Sequence, residues 1–294
     1  VLLLDIVPKD AANRNQLAEG AIARLKKTKP APLMSPGNVR RIAAGNLEDD
    51  LNKLADCDWI IEVVLEDLTV KQTLYKKIQE HRKPGSIVSS NTSTLPLVQL
   101  TQGMPKGFAA DFLITHFFNP PRYMRLLEIV TGPALDPKQL QRIREFTDLK
   151  LGKNLVDCHD TPGFIANRIG TYWIHCAVSK AIARGIGVEE ADAVLSRPAG
   201  IPKTGVFGLI DLVGVDLMPH LFKSFEVTLA EDDPFRALGD MPPLIQQMID
   251  DGYTGRKGKG GFYRLNDQKE KEAIDLGDGT YHKAERPIVA AAKA

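Results

Sequence analysis

The sequence predicts an α/β protein, in which a Rossmann-like, doubly wound and mostly parallel sheet is followed by an all-α domain. In the first half, short continuous apolar runs alternate with amphipathic helical patterns, which is typical of a parallel sheet covered on both faces. After about residue 160 the apolar periodicity is helical. We therefore expect a sheet domain over residues 1–158, a helical domain over 159–264 and a tail or linker over 265–294.

The first half opens directly on an apolar strand, residues 1–7. Natural domains rarely begin abruptly on a core strand, so we expect that residues ahead of Val1 are missing and that the sheet is truncated at its N-terminal side. The other elements expected in this half are a helix over about 10–28, a strand over 59–65, a helix over 67–82 and strands over 86–90 and 148–157.

The second half reads as a series of helices. Asp160-Thr-Pro-Gly-Phe predicts a helix start, with Asp or Thr as the cap and Pro in the first turn. The first helix is long, and its broad apolar face suits packing on another helix or subunit. The helices expected here cover about 162–184, 188–196, 205–213, 216–230 and 242–251.

Composition narrows the class of protein. The 294 residues are 43% hydrophobic and carry a formal charge of +1, which favours a soluble globular protein and gives no reason to expect a nucleic-acid or membrane partner. No apolar run approaches the roughly 20 residues that span a bilayer. Cys57, Cys158 and Cys176 fit no metal-ligand pattern, so we expect buried thiols, no metal and a reducing, cytoplasmic location.

One histidine and one carboxylate lie on two apolar runs that are joined by Pro120-Pro121. His116 leaves the run 112–114, and Glu128 lies inside the run 126–130. The two prolines exclude a helix between the runs, so a hairpin-like return is expected to bring the side chains together. An imidazole titrates near pH 6.5, and a carboxylate on its other nitrogen fixes the tautomer and stabilises the imidazolium. The pair has the features of a general base and its orienter, although a structural histidine beside a surface glutamate has the same pattern.

Several polar residues stand where strands end, and each has two interpretations. Asp5 closes the first strand, either as a ribose ligand of a dinucleotide or as an ordinary strand-end residue. Glu66 and Lys71 follow the strand 59–65, where they can meet a ribose, although Glu66-Asp67 can equally cap the next helix. Ser93 and Asn119 lie in turns, where small polar residues either form the turn or bind a ligand.

Four motifs taken together narrow these alternatives: Ser90-Asn-Thr-Ser-Thr, Thr115-His-Phe-Phe-Asn-Pro-Pro, Leu126-Leu-Glu-Ile-Val and Asp160-Thr-Pro-Gly-Phe-Ile-Ala-Asn-Arg. In this order and spacing they closely resemble the 3-hydroxyacyl-CoA dehydrogenase family, from Val1 to about Tyr263. The resemblance implies NAD as the cofactor, with His116 as the base, Glu128 as its partner, and Ser93 and Asn167 bonded to the substrate oxygens. It also implies that Asp5, Glu66, Lys71, Ser93 and Asn119 contact the NAD.

The implied reaction is the NAD-dependent oxidation of (S)-3-hydroxyacyl-CoA to 3-ketoacyl-CoA in fatty-acid β-oxidation. Relatives begin with a strand and a Gly-x-Gly-x-x-Gly turn that holds the cofactor pyrophosphate, and this sequence contains no such turn in that context. The alternative is therefore a catalytically impaired acyl-CoA-binding or structural module. A β-hydroxyacid dehydrogenase with a catalytic lysine fits less well, because Asn167 stands in the junction helix.

The resemblance also suggests partners. Lys26, Lys27 and Lys29 end a helix near the expected acyl-CoA entrance, where they either meet the CoA phosphates or complement the helix dipole. The helical domain suggests a homodimer, and longer relatives carry an enoyl-CoA hydratase domain that can be fused to this one. Acyl-chain length, physiological direction and oligomeric state are left open by the sequence.

Overall fold

A computed structural model describes residues 1–201 and 203–289, and it divides into two compact units, Val1–Ile165 and the part from Ala166 onward. The observed division falls a few residues after the predicted one, because Phe164 packs into the core of the first unit. The first unit contains β1 (Leu2–Asp5), α1 (Gln16–Leu25), β2 (Ala43–Asn46), β3 (Trp59–Glu62), α2 (Leu68–His81), β4 (Ile87–Ser90), α3 (Leu97–Leu100), α4 (Lys106–Ala110), β5 (Phe112–Phe117), β6 (Leu126–Thr131), α5 (Pro137–Leu149) and β7 (Asn154–Cys158).

The main sheet of this unit has five strands in the order β3-β4-β5-β6-β7. Its pairings are parallel except for β5 against β6, which run antiparallel. Strands β1 and β2 form a separate parallel pair, which shares no strand with the five-stranded sheet in the part of the chain that the structure describes. The predicted fold class, a mostly parallel doubly wound sheet, is confirmed.

The central strands are buried on both faces, as their uninterrupted apolar runs predict. Phe112, Leu113 and Ile114 of β5 have no exposed surface. A chain of hydrogen bonds ties three adjacent strands, because the Ser89 hydroxyl accepts from the Trp59 indole at 2.8 Å and from the Thr115 hydroxyl at 2.8 Å. The strands that carry the site residues therefore form a fixed platform.

The second unit is helical, as predicted, with an addition. Its helices are α6 (Ala166–Arg184), α7 (Val188–Val194), α8 (Gly205–Val213), α9 (Met218–Thr228) and α10 (Pro243–Asp250), packed around a core that includes Phe207, Phe225 and Phe262. A three-stranded antiparallel sheet follows, made of β8 (Tyr263–Leu265), β9 (Lys271–Ile274) and β10 (Tyr281–Lys283).

This small sheet corrects the expectation of a tail or linker over 265–294, which is wrong as far as Lys283. Ala273 and Ile274 of β9 are buried in the core of the unit, so this stretch is an integral part of it. The end of the predicted tail, residues 290–294, lies outside the described residues.

The glycine-rich turn at residues 252–263 wraps around the side chain of Asp211. The Asp211 carboxylate accepts hydrogen bonds from the backbone amides of Phe262 and Tyr263, both at 2.8 Å. A Cβ atom at Gly261 would lie 1.9 Å from Asp211 Oδ1, so only glycine fits there. Burial of this carboxylate raises the pKa of Asp211 to about 6, although both amides and Arg256 oppose the shift.

Two local predictions are wrong at the junction and one at β7. Helix α6 begins at Ala166 and not near residue 162, because Gly163 and Phe164 have left-handed backbones with φ of 72° and 48°. Asp160 caps α3 and not α6, since its carboxylate accepts from the amide of Leu97 at 2.8 Å. Residues 148–149 end helix α5, so the strand predicted over 148–157 begins only at Asn154.

A helix that crosses a membrane has to be both long and apolar. Within residues 1–201 and 203–289 no single helix meets both requirements. One bent pair, Gly205–Val213 and Val215–Thr228, meets them jointly by length and composition alone.

Candidate active site

The turn at Pro120 and Pro121 joins β5 and β6 into the predicted hairpin. In its antiparallel register His116 lies directly opposite Glu128. Residues opposite each other on an antiparallel pair share one face, so the two side chains meet, with His116 Nδ1 2.7 Å from Glu128 Oε2. A carboxylate can only accept, so Nδ1 carries the hydrogen and Nε2 is the nitrogen left to accept a proton.

The pair lies in a mostly apolar environment. His116 is 6% exposed and Glu128 1% exposed. The ring of Phe118 lies edge-on to the imidazole at 4.6 Å, and the ring of Phe164 at 5.7 Å. The second carboxylate oxygen, Glu128 Oε1, accepts the backbone amide of Ile165 at 3.0 Å. The carboxylate is therefore held on both sides, and it fixes the ring of His116 in turn.

A thiol lies beside this carboxylate. Cys158 is on β7, which pairs in parallel with β6. Burial raises the pKa of Cys158 to about 11, with a further contribution from the negative charge of Glu128. The thiol is therefore protonated at neutral pH and is not a nucleophile of the site. Among the described residues the three cysteines are free but only half-buried, so the prediction of buried thiols is wrong.

A second buried carboxylate, Glu62, ends β3. Its side chain accepts four hydrogen bonds: from the Val64 amide at 2.7 Å, Lys71 Nζ at 2.7 Å, the Tyr75 hydroxyl at 2.6 Å and the Ser90 hydroxyl at 2.7 Å. Glu62 and Lys71 have 0% and 1% of their side chains exposed. Burial and the charge of Glu62 raise the pKa of Tyr75 far above its usual value.

Glu66 lies between this network and the loop that follows β4. Its Oε1 accepts the hydroxyl of Thr92 and the backbone amide of Ser93, the latter at 3.1 Å, and Lys71 Nζ lies 3.2 Å from Oε2. Burial alone would raise the pKa of Glu66, but the hydrogen bonds and the Lys71 charge outweigh it and lower the pKa. The alternative capping role belongs to its neighbour Asp67, which accepts the Val70 amide at 2.9 Å.

The remaining predicted residues lie at different depths. Lys71 is fully buried by the Glu62 network, whereas Asn119 is exposed and Ser93 half-buried. Asp5 ends β1, and its Oδ1 accepts the backbone amide of Ile6 at 2.8 Å. Asn167 lies half-buried in the first turn of α6, in the second unit, and Lys26, Lys27 and Lys29 are exposed after α1.

The structure brings together part of the predicted site. His116 and Glu128 form one contact group, and Glu66, Lys71 and the Ser93 backbone form another. Residues 1–201 and 203–289 contain no group of three His, Cys, Asp or Glu side chains able to hold a metal ion. The arrangement offers a base with a fixed tautomer, and carboxylates at the ends of parallel strands, which is where doubly wound folds bind nucleotides.

The fold and these side chains fit a dinucleotide-binding domain of the doubly wound class. Residues 1–161 match the NAD binding domain of the 3-hydroxyacyl-CoA dehydrogenases, and residues 163–265 match the C-terminal domain of the same enzymes. The chain therefore belongs to the 3-hydroxyacyl-CoA dehydrogenase family, and NAD is the cofactor of this type of domain. The family and the cofactor predicted from the sequence are both confirmed.

Individual relatives agree with the family. The chain is 40% identical to a fatty acid oxidation complex trifunctional enzyme of Rickettsia prowazekii, over 97% of this chain but 40% of the relative. It is 36% identical to a 3-hydroxyacyl-CoA dehydrogenase of Deinococcus radiodurans, over 92% of this chain and 78% of the relative. The crystal structure of FadB2 from M. tuberculosis superposes with a TM-score of 0.74, at 26% identity and 90% coverage of each chain. The chain thus spans about two fifths of the longer relatives.

Proposed function

We propose that this chain oxidises (S)-3-hydroxyacyl-CoA to 3-ketoacyl-CoA with NAD, in fatty-acid β-oxidation. The observation that carries the proposal is the 2.7 Å contact between His116 Nδ1 and Glu128 Oε2 in the hairpin register. Oxidation of a secondary alcohol requires a base for the hydroxyl proton. In this pair Nδ1 of His116 is bonded to Glu128, which leaves Nε2 to act as the base. The trifunctional fatty acid oxidation name of a relative supports the metabolic context.

In this proposal His116 Nε2 takes the hydroxyl proton. The imidazolium that forms is stabilised by Glu128, whose charge is buried and close. The neighbouring rings of Phe118 and Phe164 exclude water from the imidazole. A positioned base of this kind contributes about 10²–10⁴-fold to the rate. Ser93 and Asn167 are assigned to the substrate oxygens by the family resemblance.

The cofactor residues fit a nucleotide in chemical character. Carboxylates accept hydrogen bonds from ribose hydroxyls, and Asp5 and Glu66 stand at or just after the carboxyl ends of parallel strands. Asn119 adds an exposed amide on the turn of the hairpin. NAD supplies the hydride acceptor when bound. We assign Lys71 a different task from the predicted direct contact, since its buried ammonium holds Glu66 at 3.2 Å.

Several partners belong to the same proposal. Lys26, Lys27 and Lys29 supply positive charge for the CoA phosphates. A fused enoyl-CoA hydratase domain agrees with the trifunctional name of the Rickettsia relative, of which this chain covers 40%. A homodimer through the helical unit and a cytoplasmic location stay predictions, which light scattering and cell fractionation test.

The direct test is the formation of NADH from (S)-3-hydroxybutyryl-CoA and NAD, with the (R) isomer as the control substrate. We expect turnover of the (S) isomer alone, and equal rates for both isomers would contradict the proposed site. Calorimetric titration with NADH and with acetoacetyl-CoA separates the alternative function. Binding of acetoacetyl-CoA without binding of NADH, and without turnover, would identify an acyl-CoA-binding module.

A further inference from the structure

The turn between β5 and β6 grips a distant loop of the same unit. Arg122 Nη1 donates to the carbonyl oxygens of Ala31 at 2.6 Å and Leu33 at 3.0 Å. The Tyr123 hydroxyl donates to the Ala31 carbonyl at 2.9 Å, and Arg122 Nη2 lies 3.0 Å from the sulfur of Met34. We call residues 31–34 the gripped loop. Arg122 and Tyr123 thus bind three residues of the gripped loop, which lies about 90 positions earlier in the sequence.

The gripped loop directly follows the three lysines at the end of α1. Lys26, Lys27 and Lys29 are exposed, and within residues 1–201 and 203–289 none of them lies within 4.0 Å of a carboxylate. Three like charges within four residues repel one another, and in a segment without regular structure they would spread apart. The hydrogen bonds from Arg122 and Tyr123 to the gripped loop hold the C-terminal end of this segment in one place.

The turn that makes the grip is itself anchored. Lys153, 5% exposed, donates from Nζ to the carbonyl oxygens of Pro121 and Met124, the second at 2.6 Å. Its ammonium also lies 5.6 Å from the ring centre of Phe117. Burial lowers the pKa of Lys153. Lys153, which holds the turn, is buried, whereas the hydrogen bonds from Arg122 and Tyr123 to residues 31–34 are exposed. The turn is therefore the fixed part, and the gripped loop is the part that the turn positions.

We propose that Arg122 and Tyr123 are positioning residues that set the preference for full CoA thioesters over shorter thioesters. They hold the gripped loop against the hairpin of His116, so that the three lysines meet the phosphate groups of the nucleotide end of CoA at a fixed distance from the base. The inference rests on the proposed function, because it takes the CoA phosphates as the anion.

The test compares two probes that differ by the phosphates, coenzyme A and pantetheine, titrated calorimetrically into the full chain. We expect Arg122→Met and Tyr123→Phe together to weaken coenzyme A binding about five- to tenfold and to leave pantetheine binding unchanged. Arg125→Met is the matched control, since this arginine lies just after the same turn and its guanidinium donates a hydrogen bond only to Asn154, at 3.4 Å, among the described residues.

A kinetic readout separates positioning from general damage. In the reduction of acetoacetyl-CoA by NADH, the double variant should raise KM by the same factor and keep kcat. Added salt should raise KM of the unaltered chain more than that of the variant, because the interaction between the lysines and the phosphates is ionic. Equal weakening of coenzyme A and pantetheine, or no change in either, would overturn the inference. Failure of the unaltered chain to bind coenzyme A would instead count against the proposed function.

Discussion

Two carboxylates on the same sheet, Glu62 on β3 and Glu128 on β6, are equally buried and differ in their partners. Glu62 has 0% and Glu128 1% of its side chain exposed. Glu62 faces the ammonium group of Lys71, whereas Glu128 faces the imidazole of His116, the side-chain type that most often exchanges protons in proteins. Equal burial is therefore found for a structural ion pair at β3 and for a pair suited to proton transfer at β6.

Burial of a carboxylate therefore says little about its role until the cation beside it is known. The ammonium of Lys71 lies 2.7 Å from the Glu62 carboxylate, and both are buried, so removing either member leaves an uncompensated buried charge. A histidine partner compensates the charge of a carboxylate only when the imidazole is protonated. We therefore expect substitutions at Glu62 and Lys71 to change stability, and substitutions at His116 and Glu128 to change catalysis.

The largest expected effect is that of His116→Gln on turnover. The glutamine amide can still donate to Glu128 but cannot accept and release a proton, so kcat should fall about 10³–10⁴-fold while the free energy of unfolding stays nearly constant. Steady-state NADH formation and urea unfolding measure the two quantities. His81→Gln, on the exposed end of α2, is the matched control and should change neither. A variant with retained turnover would remove His116 from the mechanism.

Lys71→Met should produce the next largest effect, on stability. It leaves the Glu62 carboxylate buried without its cation, which costs about 3–5 kcal/mol of unfolding free energy. The double variant Glu62→Gln with Lys71→Met should recover much of this loss, since no buried charge remains. Lys77→Met, at an exposed position of the same helix, is the control. Equal stability of the two single lysine variants would contradict the structural role of the pair.

Glu128→Gln should lower kcat about 10²-fold and shift the pH profile. The lost carboxylate no longer stabilises the imidazolium that forms when His116 takes the hydroxyl proton, so the acidic limb of the oxidation profile should move to lower pH. Rates over about pH 5 to 9 measure the shift. Glu80→Gln, exposed on α2, should keep the original profile. An acidic limb at the same pH in both variants would argue against coupling between Glu128 and the base.

The smallest effect concerns Cys158, which reports the charge of Glu128. Its pKa of about 11 arises first from burial and then from the Glu128 carboxylate, so Glu128→Gln should lower it and raise the thiolate fraction at pH 8.5. Alkylation by iodoacetamide, followed by peptide mass, should be up to about tenfold faster at Cys158. Cys57, whose pKa is raised by burial and by Asp56, is the internal control and should react as before. An unchanged rate at Cys158 would show that burial alone sets its pKa.

The hairpin and its pair were predictable because local rules fix them. Two prolines between apolar runs exclude a helix, and the period of two along a strand then decides which side chains share a face. The position of Lys71 was not predictable, because nothing in a single lysine indicates whether its ammonium reaches solvent. The Glu62 network was missed for the same reason, since its donors come from α2 and β4 and meet only after folding.

The small sheet of the second unit was missed although a signal existed. Asp278-Gly279 is a common turn pair, and Gly279 has the positive φ of 75° that such a turn requires. The strands on either side are short and rich in charge, so composition favours a tail over a strand. Burial of Ala273 and Ile274 depends on helices elsewhere in the unit, which local patterns do not reveal.

The opposition of His116 and Glu128 has a consequence for changes in chain length. Successive residues of a strand point to opposite faces, so one residue inserted inside β5 or β6 would turn one member of the pair away from the other. The pair therefore depends on the exact length of both strands, and a slipped alignment would separate His116 from Glu128. The register that lets the strands pair is also the one that assembles the base.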